Sequence, residues 1–183
     1  MASSSIEIAS NALLLIGDNA ISAFTESTGG IIAERLYDDL LDDLLTSHHW
    51  RFATKKQLLN QLVTAPINGF AHAFQIPTDC LKIITINYSV PYEINGDQIH
   101  CNITPIEADY IFRPSEPSFP AWFVKALEYR LASELAMPVT EATTRAEFYA
   151  AQYRSQVDKA MGLDSQQRPN VAIRNNPFLT AHN

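Results

Sequence analysis

Four aspartates, Asp38, Asp39, Asp42 and Asp43, are the densest group of titratable side chains in the chain. The reaction that paired carboxylates serve most directly is glycoside hydrolysis, in which two acids stand roughly 5 to 9.5 Å apart across a cleft and hold different protonation states. Helical spacing argues for another use. Asp38/Asp42 and Asp39/Asp43 are like-charged i,i+4 pairs, each unfavourable by a few tenths of a kcal/mol. They fall in the C-terminal half of their helix, where the dipole disfavours negative charge, and Arg35 is the only base one turn back. Adjacent turns of one exposed helix do not create two pKa environments. A solvated or interface acidic face is therefore the first reading, ion pairs to a neighbouring subunit the second, and catalysis the last.

The remaining groups carry weaker chemistry. Arg51, Lys55 and Lys56 form a basic run too small for a nucleic-acid platform, and Trp50 and Phe52 flank Arg51 as core anchors rather than as a base-stacking surface. These bases are suited to pair with aspartates of the same or an adjacent subunit. On a helix the rings of His48 and His49 would diverge by about 100°, and His100 and Cys101 would face opposite sides of a strand. Neither pair, nor His72 or His182, has zinc-ligand spacing, and no metal or cofactor is expected. Gly29-Gly30 before a helix is a weak anion-site signal and reads better as a hinge. Nothing matches a phosphate loop, a dinucleotide fingerprint or a nucleophile elbow. Cys80 and Cys101 are expected to be free thiols in a reducing compartment.

The elements that must position these groups read as helices, then strands, then helices. Ser3-Ser4-Ser5 can cap a helix over 5–16 that buries Ile8, Ala12 and Leu15 or Ile16, and Gly17 stops it. A second helix is expected over 31–48, with Ile32, Leu36, Leu40 and Leu44 joined by Ala33, Tyr37, Leu41 and Leu45 in a wide apolar stripe. Seven of the ten prolines lie between Pro66 and Pro120, so a β-rich insertion over about 70–114 replaces any long helix there. Its strands are read at 71–76, 81–88, 91–94, 98–103 and 108–113, in a small antiparallel sheet with a hairpin tip at Asn95, Gly96 and Asp97. A third helix over 119–136 carries Phe123, Leu127, Leu131 and Leu135 and ends at Met137-Pro138. A fourth, over 144–161, opens on a Thr144/Glu147 capping box and closes at Gly162. Residues 163–183 show no periodicity and cannot build a core alone. They read as a frayed tail or as a strap that orders on a partner.

The whole is thus an α+β chain: a bundle of about four helices with a small antiparallel sheet and hairpin extension, and an extended C-terminal tail. With 183 residues, 46% hydrophobic and 18% charged, it is long enough for one domain over 1–162 and its core. The net charge of −7 disfavours polyanion binding. No run approaches the roughly 20 apolar residues of a membrane span. The first basic residue is Arg35, so a signal peptide is not expected, and the reading is a protein made and kept in the cytosol.

The order of features resembles the tail tubular protein A family, the head-to-tail adaptors of podoviruses. The resemblance runs from about residue 6 to 162. It rests on Leu15-Ile16-Gly17, Ile21-Ser22, and an acidic, leucine-rich helix ending in His49-Trp50-Arg51-Phe52-Ala53. It continues with Ala73-Phe74-Gln75-Ile76-Pro77-Thr78-Asp79-Cys80-Leu81, Asp109-Tyr110-Ile111, Pro120-Ala121-Trp122-Phe123, Ala126-Leu127 and Leu131-Ala132. The resemblance implies a non-enzymatic subunit, twelve copies of which form a ring in the neck of the virion tail, after assembly in the host cytoplasm. Its partners would be further copies of itself, a portal protein and a tail nozzle, with genome DNA passing through unbound and no membrane involved. The tail would dock on the portal through Val171, Ile173, Arg174, Pro177, Phe178 and Leu179. Asp38, Asp39, Asp42, Asp43, Arg51, Lys55 and Lys56 would supply subunit-interface or lumen charge. Twelve copies at −7 each place −84 around the channel, which repels DNA and lets it slide. The alternative is a virion-associated hydrolase of cell-wall or surface glycans.

Overall fold

A computed structural model of the chain describes residues 4–87 and 90–166. Helix α1 (Ser5–Ile16) opens where Ser4 Oγ accepts the Glu7 amide at 3.2 Å and closes at Gly17, whose φ of 85° needs a residue without a Cβ. Its face Ile8, Ala9, Ala12, Leu13 and Ile16 is buried. Helix α2 (Thr28–Ser47) starts three residues before the expected position, because Ser27 Oγ caps it by accepting the Gly30 amide at 2.9 Å. Gly29 and Gly30 are therefore not a hinge. They form the first turn of α2, pressed against the end of α1: a Cβ on Gly29 would stand 2.7 Å from Asp18 Oδ2, and one on Gly30 would overlap the Phe24 carbonyl oxygen.

Past α2 the chain enters two antiparallel sheets where one was expected, and it does so earlier, at Thr54 rather than near 70. The first sheet has the order β1 (Thr54–Leu58), β7 (Glu107–Phe112), β4 (Cys80–Ile86), and the second β2 (Asn60–Gln61), β3 (His72–Gln75), β6 (Gln98–Cys101), β5 (Tyr92–Asn95). Strand β1 had no alternating pattern to reveal it: four of its five residues are exposed, and Lys55 and Lys56 protect it as an edge strand. The hairpin is where the sequence placed it. Asn95 pairs with Gln98, Gly96 and Asp97 are the two-residue loop, and Gly96 has φ 60° at the first central position, as a type II′ turn requires.

Helix α3 (Ala121–Thr140) follows Pro120, which stands at the N-cap rather than inside the first turn. It runs through Pro138 instead of ending there. A proline so close to the terminus forfeits a single backbone bond, and the left-handed Glu141 then caps the Met137 carbonyl. Helix α4 (Thr143–Gln166) begins one residue before Thr144, so Thr144 lies inside the first turn and not at a cap. It also passes through Gly162 without a break, and residues 163–166 of the expected tail are helical. The rest of that tail, Val171, Ile173, Arg174, Pro177, Phe178 and Leu179 included, lies outside the described residues, as does Tyr88 at the end of the expected strand 81–88.

Two cores result. The larger one joins all four helices with Trp50, Ala53 and Ile111, and Leu81 and Ile84 pack on it. The smaller one, Leu59, Phe74, Ile86, Ile99, Cys101, Ile106 and Ala108, joins the two sheets. Strands β4 and β7 serve both, so the first sheet is the layer between the bundle and the second sheet. A polar lock runs along its edge. The Tyr110 hydroxyl donates to Gln57 Oε1 and Asp79 Oδ1 (3.0 and 3.1 Å), and Lys55 Nζ meets Asp79 Oδ2 at 2.7 Å. The Lys55 hydrogen bond holds the Asp79 carboxyl below the usual carboxylate range. That contribution is present above the unfolded pKa of Asp79 and is lost as the pH falls through its lowered folded value. Burial, with help from Asp79, pushes the Tyr110 phenol up to about 12.

Candidate functional site

The acidic face of α2 is cross-braced from within the chain. Arg113, just past β7, donates through Nη1 to Asp38 Oδ1 at 3.0 Å and through Nη2 to the Asp38 carbonyl at 2.9 Å, while its Nη2 also meets Asp42 Oδ1 at 2.8 Å. Arg130 of α3 reaches Asp43 at 3.6 Å and Glu134 at 3.4 Å, and lies over the Tyr153 ring of α4. Two arginines distant in sequence thus relieve the like-charge pairs, where only Arg35 was visible as a partner. Asp39 is exposed. The four carboxylates lie along one helix, and three of them are drawn to arginines of the same chain rather than facing one another across a cleft, which is not the arrangement a glycosidase uses.

The basic run is also engaged within the chain, though not with those aspartates. Lys55 pairs with Asp79 and Lys56 with Asp109 at 3.3 Å. Arg51 joins the last turn of α4. Its backbone N–H donates to Asp164 Oδ1 at 3.1 Å, its Nε donates to the Asp164 carbonyl at 3.2 Å, and His48 Nε2 lies 3.7 Å from Asp164 Oδ2. Asp164 is 2% exposed. This clasp explains how α4 continues past Gly162: a carboxylate fixed two residues later outweighs the propensity cost of one glycine. His48 and His49 follow α2 rather than lie on it, so their rings do not diverge but stack at 6.5 Å. Trp50 is fully buried and Phe52 packs on the same core, as expected of anchors.

Removing the Asp164 side chain strands the Arg51 amide. Asp164→Ala is expected to cost about 1–3 kcal/mol in chemical denaturation, with Asp164→Asn, which keeps an acceptor, costing less. Equal stability of all three proteins would show that the clasp contributes nothing.

Exposed large apolar side chains divide between two ends of the molecule. At one end the C-termini of α1 and α3 meet the N-termini of α2 and α4. Arg145 donates to the Ile16 carbonyl, Tyr149 to the Leu15 carbonyl, and Gly29 lies against Leu13 and Val139. Leu14, Ile31, Met137 and Phe148 are exposed there. The other end, one length of α2 or about 30 Å away, begins at the Asp164 clasp and continues into the sheets. It exposes Leu163, Leu58, Tyr92 and Ile94, while Val63 and Ile67 are as open as in an extended chain. The hairpin tip Asn95, Gly96 and Asp97 belongs to this end: Asp97 accepts the Gln75 side chain at 3.0 Å, and Gly96 and Asp97 line an open groove with Ile94.

Sequence reasoning missed Arg113, Arg130 and Asp164, because each acts on a partner more than 70 residues away, and no local spacing encodes that. It also missed Glu128, buried on α3 between Asn11 of α1 (2.8 Å) and Lys125 (2.9 Å). Among the described residues no group of three His, Cys, Asp or Glu side chains is placed to hold a metal ion, and no helix is long and apolar enough to cross a membrane. No protein-family model matches the chain, and no curated protein matches it.

Proposed function

We propose that the chain is a structural adaptor: the head-to-tail connector of a short-tailed bacteriophage, a ring of about twelve copies between a portal protein and a tail nozzle. The observation that carries this reading is the division of exposed apolar side chains between the end of the bundle at Leu14, Ile31, Met137 and Phe148 and the sheet-bearing end at Leu58, Val63, Ile67, Tyr92 and Ile94. Monomeric proteins rarely concentrate bare apolar surface in this way, and two separate patches suit a part held between two partners. The bundle and the first sheet supply a rigid span between the patches. The acidic balance suits a channel that passes DNA without holding it. The aspartates of α2 serve the fold through Arg113 and Arg130 rather than a reaction. In this reading residues 167–183 dock on the portal, from a root fixed by Asp164.

The two ends can be tested separately. Val63→Asp with Ile67→Asp removes the apolar character of one end, and Met137→Glu with Phe148→Glu that of the other. The Val63 and Ile67 pair should leave the far-UV spectrum and melting unchanged, because those side chains are fully in water, and the Met137 and Phe148 pair, each about half exposed, should leave the spectrum unchanged with only a small drop in melting. Each should also abolish attachment to one of the two assemblies, portal or nozzle, in a pull-down, and spare the other. Undiminished attachment of both variants to both assemblies would refute the reading.

A further inference from the structure

Strand β4 pairs only with β7, and β5 only with β6, so among the described residues each leaves one row of backbone groups without a strand partner. Between these two edges lies an open groove of about 510 Å³, to which Ile76, Leu81, Ile83, Ile94 and Gly96 contribute. The register of the second sheet explains its apolar floor. Phe74, Ile99 and Ile94 stand in one row across β3, β6 and β5. Burial falls along that row: Phe74 and Ile99 are buried, and Ile94 is 49% exposed. The core between the sheets thus runs out into water at β5. The β1 edge carries Lys55 and Lys56, and β2 is only two residues long. Strand β5 lacks such guards against a further strand: Tyr92 and Ile94 are exposed, and Glu93 is its single charge.

We propose that this groove seats residues 170–175 of the same chain, as a fifth strand added to β5. The chain outside the described residues begins close by. Asp164 lies 3.7 Å from His48, and the Thr46 carbonyl, two residues earlier, takes the Nζ of Lys82 at 3.0 Å. Lys82 itself lines the groove. From that root the seven residues 167–173 can extend over roughly 23 Å. Pro169 and Pro177 bracket Asn170-Val171-Ala172-Ile173-Arg174-Asn175, in which two β-branched residues stand two apart. Such a segment is too short to fold alone, but it can extend an existing sheet. With Val171 and Ile173 turned to the groove beside Ile94, Arg174 falls on the opposite face in either strand direction. That face carries Glu93, which accepts from Asn68 at 2.9 Å and forms no ion pair among the described residues. The charge balance points the same way. Residues 167–183 hold Arg168 and Arg174 and no Asp or Glu, so taking these two positive charges out of the net −7 leaves −9 on residues 1–166. Root and seat belong to one subunit, so the segment meets its own groove at a higher effective concentration than another copy's. The seat does not require the adaptor reading; where that reading holds, portal docking draws the segment out of the groove.

Amide hydrogen exchange on the full-length protein at room temperature tests the seat. The amides of Tyr92–Asn95 that point away from β6 should exchange about tenfold faster after Val171→Asp with Ile173→Asp, because a paired edge is opened. Arg174→Glu sets a like charge beside Glu93 and should speed the same amides about threefold. These changes touch no described residue, so the amides of β1 are the control and should exchange as in wild type. So short a pairing is lost before the body melts, and the melting temperature should not move. Diluting the protein about a hundredfold should leave the protection of β5 intact, as a contact within one chain requires. Equal exchange of β5 in wild type and the Val171→Asp/Ile173→Asp protein would overturn the seat, as would acceleration that spreads to β1. Protection lost on dilution would give the groove to a second copy and overturn the placement within one chain.

Discussion

Trp50→Ala is expected to destabilise the protein by about 3–5 kcal/mol. Trp50 has no exposed surface. Its ring lies 4.7 Å from His48 and 5.5 Å from both Trp122 and Phe123, and its Nε1 donates to the Leu44 carbonyl at 2.8 Å. One side chain thus joins the end of α2, the entry to β1 and the first turn of α3, while the chain reverses from helix to sheet. Truncation opens a large cavity and also strips the Leu44 carbonyl of the donor it takes from the indole. Trp50→Phe keeps much of the ring but not the N–H, so it should lose a smaller part. Urea denaturation followed by circular dichroism measures both. A loss under 1 kcal/mol for Trp50→Ala would mean that the aromatic cluster is not the joint between bundle and sheets.

The second large effect separates stability from attachment. Ending the chain after Gln166 keeps every described core residue and the Asp164 clasp, so its melting should match wild type. In the adaptor reading the same truncation abolishes portal attachment. Ending it at Met161 instead removes Asp164 as well, and should cost stability as Asp164→Ala does. The difference between the two truncations distinguishes a tail that only docks from a helix end that also holds the fold together. If the protein ending at Gln166 still joined portal rings normally, residues 167–183 would not be the docking segment.

Much of the fold was legible because helical stripes and the Asn95-Gly96 turn act locally. The burial of Leu40, Leu44, Phe123, Leu127, Leu131 and Leu135 follows from spacing alone. The misread positions share one cause. Gly29, Gly30, Pro138 and Gly162 are residues of low helix propensity that read as hinge or terminators, and in each case a distant contact or a nearby cap overrides propensity. Strand β1 was invisible because a protected edge strand carries lysines rather than an apolar alternation. The acidic face was visible as a cluster, but not its partners. Arg113 and Arg130 come to it only through the fold. The chemistry of a site built from long-range contacts is not written in spacing.

The central claim, an adaptor held between two partners, is tested most directly by electron microscopy of the full-length protein mixed with portal rings. The account predicts added density as a ring of about twelve subunits on one face of the portal, absent when the protein ends at Gln166. Bare portals beside free protein, under conditions where the protein and the portal are both folded, would contradict it.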